Sequence, residues 1–168
     1  LIMVVVQTAA GDVPNPIQIR ASLGFSDTFR LGYWAPLSVS ISNEGSDIVG
    51  DLDVQVMYGE ELVDTLHPKI HRRRLDLSKG SRKRFQFTVY LESFAHPLVI
   101  RVTSGGRELA RHSIELRRRF TEGRLILVLS RDANLDYLND GTGDSLRVLY
   151  PHPEMLPNHW QGYDSITA

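Results

Sequence analysis

The sequence predicts a mainly β protein in which an antiparallel sandwich over residues 14–119 is followed by an incomplete α/β segment over residues 120–168. Three observations carry that prediction. From Pro16 to about Arg119, apolar residues recur at every second position, the period of strands with one wet face and one dry face. Clusters of Gly, Ser and Asn cut this pattern into short runs. From Arg124 onward the apolar residues become continuous, as in strands covered on both faces.

The strands follow in order. Ile17, Ile19, Ala21 and Leu23 form the dry side of the first, Leu37, Val39 and Ile41 of the second, and Leu52, Val54, Val56 and Tyr58 of the third. Arg74 to Leu77 carries the fourth, Phe85 to Leu91 the fifth, Leu98 to Val102 the sixth and Leu109 to Leu116 the seventh. Asn43-Glu44-Gly45-Ser46, Ser78-Lys79-Gly80-Ser81 and Ser104-Gly105-Gly106-Arg107 separate them with residues that accept positive φ or hydrogen-bond their own backbone. About seven short strands in about a hundred residues suit an immunoglobulin-like sandwich. The sequence contains no cysteine, so the disulfide of antibody domains is excluded, as are thiolate zinc sites and a cysteine nucleophile.

One hairpin is predicted in register. Leu75 and Leu77 on the same dry face as Phe85 and Phe87 require a three-residue loop, Ser78-Lys79-Gly80, with Gly80 left-handed. Asp76 then faces Arg82, which is favourable, and Arg74 faces Arg84, which is unfavourable unless solvent or an anion intervenes. Between Lys69 and Arg84 stand eight Lys or Arg residues and one acid, in a chain whose net charge is only -1. This cationic stretch has two readings. It is an anion contact made by Arg72, Arg74, Arg82 and Arg84 toward an acidic glycan, a lipid headgroup or an acidic partner. Or it is an edge strand charged against aggregation. No aromatic residues interleave with the charges, which argues against single-stranded nucleic acid.

Beyond residue 120, Arg124 to Ser130 and Ser145 to Pro151 read as two buried strands. Between them lie Asp132 as a helix cap, Leu135 and Leu138 at helical spacing, and the breaker at 139–144. Strand, helix, strand is the opening of a parallel α/β unit. Two strands cannot cover both faces of such a sheet, so the natural protein is expected to continue past Ala168. At the other end, six apolar residues and then Gln7-Thr8-Ala9-Ala10 read either as the end of an export signal or as an N-terminal strand, residues 1–13 standing outside the sandwich.

The stretches LGYWAPLSVSISNEGSDIVGDLDVQV, SRKRFQFTVYL and LPNHWQGYDSI together resemble large bacterial envelope proteins. In these an immunoglobulin-like sandwich precedes a module of the class I glutamine amidotransferase-like fold, often with membrane helices further on. The resemblance implies an exported protein of the periplasm or cell envelope, membrane-tethered at full length. Its partners would be other domains of the same protein or other envelope proteins. The nucleophile cysteine and its His and Glu have no counterparts here, so glutaminase chemistry is carried over to no residue.

The remaining constellations point to no catalytic, cofactor or metal site. The run DYLNDGTGD aligned as a calcium loop would put Leu138 at a ligand position and Arg147 where the bidentate Glu belongs. His67 and His71 have a metal spacing only on a helix, and Pro68 and the strand pattern argue against one. His152 and His159 flank Pro153 and Pro157 in a loop, and Trp34 and Trp160 read more readily as core than as ligand platforms. The expectation is therefore a non-enzymatic interaction or scaffolding module without a cofactor. Two alternatives stand beside it: an accessory domain of an amidotransferase-like enzyme with its active site beyond residue 168, and an anionic glycan or lipid headgroup binder.

Overall fold

The computed structural model describes residues 15–58, 67–130, 135, 137, 138 and 146–167. The expected mainly β architecture is present, with two antiparallel sheets facing each other across one core. Strands β1 (Ile17–Leu23), β2 (Tyr33–Asn43) and β5 (Ser81–Leu91) form one sheet in the order β1-β2-β5. Strands β3 (Ile48–Tyr58), β4 (His67–Leu77), β6 (Leu98–Ser104) and β7 (Arg107–Ile114) form the other in the order β4-β3-β6-β7. The predicted alternation is what closes the core: Leu37, Val39 and Ile41 on β2 and Phe87, Val89 and Leu91 on β5 meet Leu52, Val54, Leu75, Leu77, Ile100 and Val102 from the opposite sheet. In a constant-type immunoglobulin domain the fourth strand pairs beside the fifth. Here it pairs with the third.

That difference overturns the predicted hairpin. The chain does turn at Ser78-Lys79-Gly80, with Gly80 at φ 71°, but the turn carries it from one sheet to the other. Arg74 faces Asp51 and Asp76 faces Val49 on β3, while Arg84 faces Ser40 and Arg82 faces Ser42 on β2. Parity cannot separate the two arrangements, because a turn between facing sheets also sends Leu75, Leu77 and Phe87 into the same core. Charge decides between them. The cross-sheet arrangement replaces an Arg74–Arg84 clash by an Arg74–Asp51 pair.

Two local devices hold the crossing in place. The fully buried side chain of Asn43, at the end of β2, donates from Nδ2 to the carbonyls of Ser46 (2.7 Å) and Leu77 (3.1 Å) and accepts the Gly45 N–H at 2.9 Å. Its own carbonyl accepts the Gly80 N–H at 2.7 Å. The β6–β7 turn is the predicted Gly105-Gly106, both residues at positive φ, as a type I′ two-residue hairpin requires.

The α/β expectation is met in its strands. β8 (Arg124–Leu127) and β9 (Leu146–Leu149) pair in parallel, and Ile166 bridges Leu125 in parallel on the other side of β8. Leu125 and Val148 are buried, whereas Ile126, Leu127 and Leu149 are half-buried and Leu129 is exposed, so the described strands are less covered than two dry faces would imply. The proposed helix cap Asp132 and the breaker at 139–144 lie outside the described residues, as does the N-terminal apolar run. From β9 the chain runs back over the three-stranded sheet through two short 3₁₀ turns, Pro153–Met155 and Trp160–Tyr163. It is tied there by Trp34 N–H to Asp164 (3.1 Å), Arg30 to the Ser165 carbonyl (3.4 Å) and the Phe25–Tyr163 ring contact.

Candidate functional site

The register of the three-stranded sheet places residues on its outer face in rows. Gln18, Ser42 and Arg82 lie side by side, then Arg20, Ser40 and Arg84, then Ser22, Ser38 and Gln86. The middle strand contributes only serines and the flanking strands contribute long side chains, so the face is a trough with a hydroxyl floor. Gln18, Arg20, Ser40, Ser42, Arg82 and Arg84 line a depression of about 490 Å³. Neighbouring strands are about 4.8 Å apart and alternate residues about 7 Å apart along a strand, so the three guanidinium groups spring from the corners of a patch about 10 Å wide. Arg20 and Arg82 have no ion-pair partner among the described residues, and Arg84 meets Glu154 at 3.3 Å at one end of the trough. A guanidinium is always charged and presents a planar fork of donors that matches carboxylate, sulfate or phosphate oxygens.

The other two arginines singled out in the sequence are elsewhere. Arg72 and Arg74 stand on the outer face of the four-stranded sheet, each engaged by an acid of β3. Arg72 grips Asp53 with two hydrogen bonds, Nε to Oδ1 at 2.7 Å and Nη2 to Oδ2 at 2.8 Å, and Asp53 is only 3% exposed. The hydrogen bond from Arg72 holds the Asp53 carboxyl below its ordinary value against the opposing effect of burial, and the charge of Arg101 adds to it. Arg74 reaches Asp51 at 3.5 Å. The four residues therefore do not converge. Arg82 and Arg84 join Arg20 instead, a residue whose part was not readable until β1, β2 and β5 were known to be neighbours.

A second recess, about 460 Å³, continues the same face where residues 155–161 cross it near the edges of β4 and β5. Trp34, Ser38, Gln86 and Thr88 contribute from one sheet, and His71, Arg72 and Arg73 from the other. His71 Nε2 and Gln86 Oε1 are buried and have no hydrogen-bond partner among the described residues. Burial first, and then the charges of Lys69 and Arg73, push the His71 imidazole below its ordinary value. It therefore stays neutral near pH 7. The core reading of the tryptophans does not hold: Trp34 is half-buried, its ring tilted against Tyr90 with centroids 5.5 Å apart and beneath Lys69 at 5.7 Å, while Trp160 is 76% exposed. His67 and His71 lie on an extended strand, about 13 Å apart by its rise. His152 Nδ1 accepts the Glu154 N–H at the start of a 3₁₀ turn, and His159 borders the recess.

Residues 16–117, more than half of the chain and all seven sandwich strands, match the family model described as Domain of unknown function (DUF8726). The chain belongs to the DUF8726 family. No curated protein matches it. Among solved structures, the DUF8726 chain is similar to a β-glucosidase from Listeria innocua in complex with isofagomine. The TM-score is 0.40 at 15% identity, covering 59% of this chain and 16% of that one. It is also similar to the Pseudomonas fluorescens alkylpurine DNA glycosylase AlkC bound to DNA, with TM-score 0.41, 14% identity and coverage of 61% and 31%. A third is the β-glucosidase D2-BGL from Chaetomella raphigera, with TM-score 0.33, 10% identity and coverage of 60% and 18%. The DUF8726 chain spans less than a third of the length of each, and likenesses this slight transfer no activity.

Proposed function

We propose that this DUF8726 domain is a non-catalytic interaction module of a larger, exported envelope protein, and that it holds an anionic ligand on the outer face of its three-stranded sheet. The observation that carries the reading is the trough itself: Arg20, Arg82 and Arg84 stand around a serine floor with one carboxylate, Glu154, at its rim. In a chain of net charge -1 this is a local concentration of cation. Hydrogen bonds from a guanidinium to an anion are about twice as strong as neutral ones. The apolar start of the chain and its resemblance to envelope proteins support export.

The test is binding of polygalacturonate and of phosphatidylglycerol vesicles by the wild type and by the Arg20→Gln, Arg82→Gln, Arg84→Gln triple variant. The surface positions leave the core intact, and the expected result is loss of about tenfold or more in affinity for whichever probe binds. Equal binding by the Arg74→Gln variant and the wild type is expected as well. An unchanged triple variant overturns the reading.

The parallel pairing of β8 with β9 and with Ile166 favours a second reading, an accessory domain to an amidotransferase-like α/β module. Glutaminase assay of the full-length gene product tests it, and an inactive product would count against it.

A further inference from the structure

The trough and the second recess occupy neighbouring rows on the same sheet face. On β2 the outward residues run Ser42, Ser40, Ser38, and on β5 they run Arg82, Arg84, Gln86, Thr88, so the recess begins one outward step beyond the trough. The step is about 7 Å. Trp34 stands at the far end of the recess. Residues 155–161 pass overhead, with Leu156 accepting a hydrogen bond from Gln86 Nε2 at 3.4 Å, and Trp34 stands across the path with Tyr90 behind it. A chain molecule lying along the three arginines meets a dead end at Trp34.

The chemistry changes along the way. The trough offers guanidinium groups and hydroxyls, whereas the dead end offers a neutral imidazole, a carboxamide oxygen, the hydroxyls of Ser38 and Thr88, the Arg73 guanidinium, which has no ion-pair partner among the described residues, and the indole of Trp34. Buried polar atoms such as His71 Nε2 and Gln86 Oε1 need hydrogen-bond partners. Donors and acceptors beside an aromatic side chain suit a ring rich in hydroxyl groups, and Arg73 suits an acid on it. A bilayer presents headgroups on a plane and cannot follow such a recess, while a single oligosaccharide chain can.

We propose that the recess is a terminal subsite, taking the end sugar of an acidic oligosaccharide whose body lies along Arg20, Arg82 and Arg84. The proposal rests on the trough being an anion site. It distinguishes recognition of a chain end from contact anywhere along a polyanion.

Titration calorimetry with oligogalacturonides of increasing length tests it, using the wild type, the trough triple variant, and the recess variants Arg73→Gln and Gln86→Leu. Arg73 is exposed, so its variant folds regardless of the outcome for Gln86. The expected result is one protein bound per chain at every length, affinity about tenfold weaker in each recess variant, and no binding by the trough variant. Stoichiometry rising with chain length, or recess variants equal to the wild type while the trough variant still fails, overturns the terminal subsite and leaves the trough standing. Binding to phosphatidylglycerol vesicles without any oligosaccharide binding overturns the glycan assignment. Absence of binding to either probe overturns the trough reading and this inference with it.

Discussion

Replacing Asn43 with alanine should destabilise the sandwich more than any other polar truncation on β2. The side chain is 0% exposed and makes three hydrogen bonds, to Ser46 O, Leu77 O and Gly45 N–H. Alanine removes all three and strands the Leu77 carbonyl, which lies between the two sheets. Each lost bond is worth about 0.5–1.5 kcal/mol net, and a buried group left unpaired adds to this, so the loss should be about 3 kcal/mol. With a urea slope of about 2 kcal/mol/M for a domain of this size, the unfolding midpoint should fall by about 1.5 M. Ser42→Ala, one residue away and part of the trough floor, should stay within about 0.5 kcal/mol of wild type. Urea titrations followed by tryptophan fluorescence read both. Equal midpoints for the two variants would refute the idea that Asn43 latches β2 to the crossing turn.

Gly50→Ala should block folding or abolish cooperative unfolding, since an added Cβ would sit 1.9 Å from the backbone oxygen of Thr103 on β6; soluble yield and circular dichroism check this. Gly80→Ala should be milder, about 1–2 kcal/mol in the same urea titration, because its φ is +71° but no atom lies within 4 Å of the new Cβ. Acid should act through two groups. Asp53, with its carboxyl held below the ordinary 3.8, contributes stability that is complete above that value and is lost as pH falls through the lower folded value. His71, lowered from 6.5, resists protonation when folded, so stability begins to erode as pH drops below 6.5. Thermal melts of Asp53→Asn and His71→Gln across the acid range should each lack the corresponding limb, and unaltered limbs would count against these assignments.

The strands were legible because alternation is a direct consequence of burying one face. Ile17 to Leu23, Leu37 to Ile41 and Phe85 to Leu91 needed only their period of two, and Gly80 and Gly105-Gly106 needed only their turn chemistry. Sheet membership was not legible from parity. The signal that could have found it was the clash between Arg74 and Arg84, together with Asp51 and Asp53 at matching spacing on the preceding strand. Reading Arg72 and Arg74 against those acids would have removed them from the anion site. Arg20 lay outside the cationic run in sequence and entered only when β1 came to flank β2 opposite β5. The recess was illegible for a similar reason, since its walls are drawn from residues 34–38, 71–73, 86–88 and 155–161.

The most direct test of the anion trough is an amide-resolved NMR titration of the domain with an oligogalacturonide at low salt, where screening is weakest. Shifts concentrated on Gln18, Arg20, Ser40, Ser42, Arg82 and Arg84 are the predicted result. Shifts centred on Arg72 and Arg74 across the opposite sheet, or an unperturbed spectrum, would contradict it.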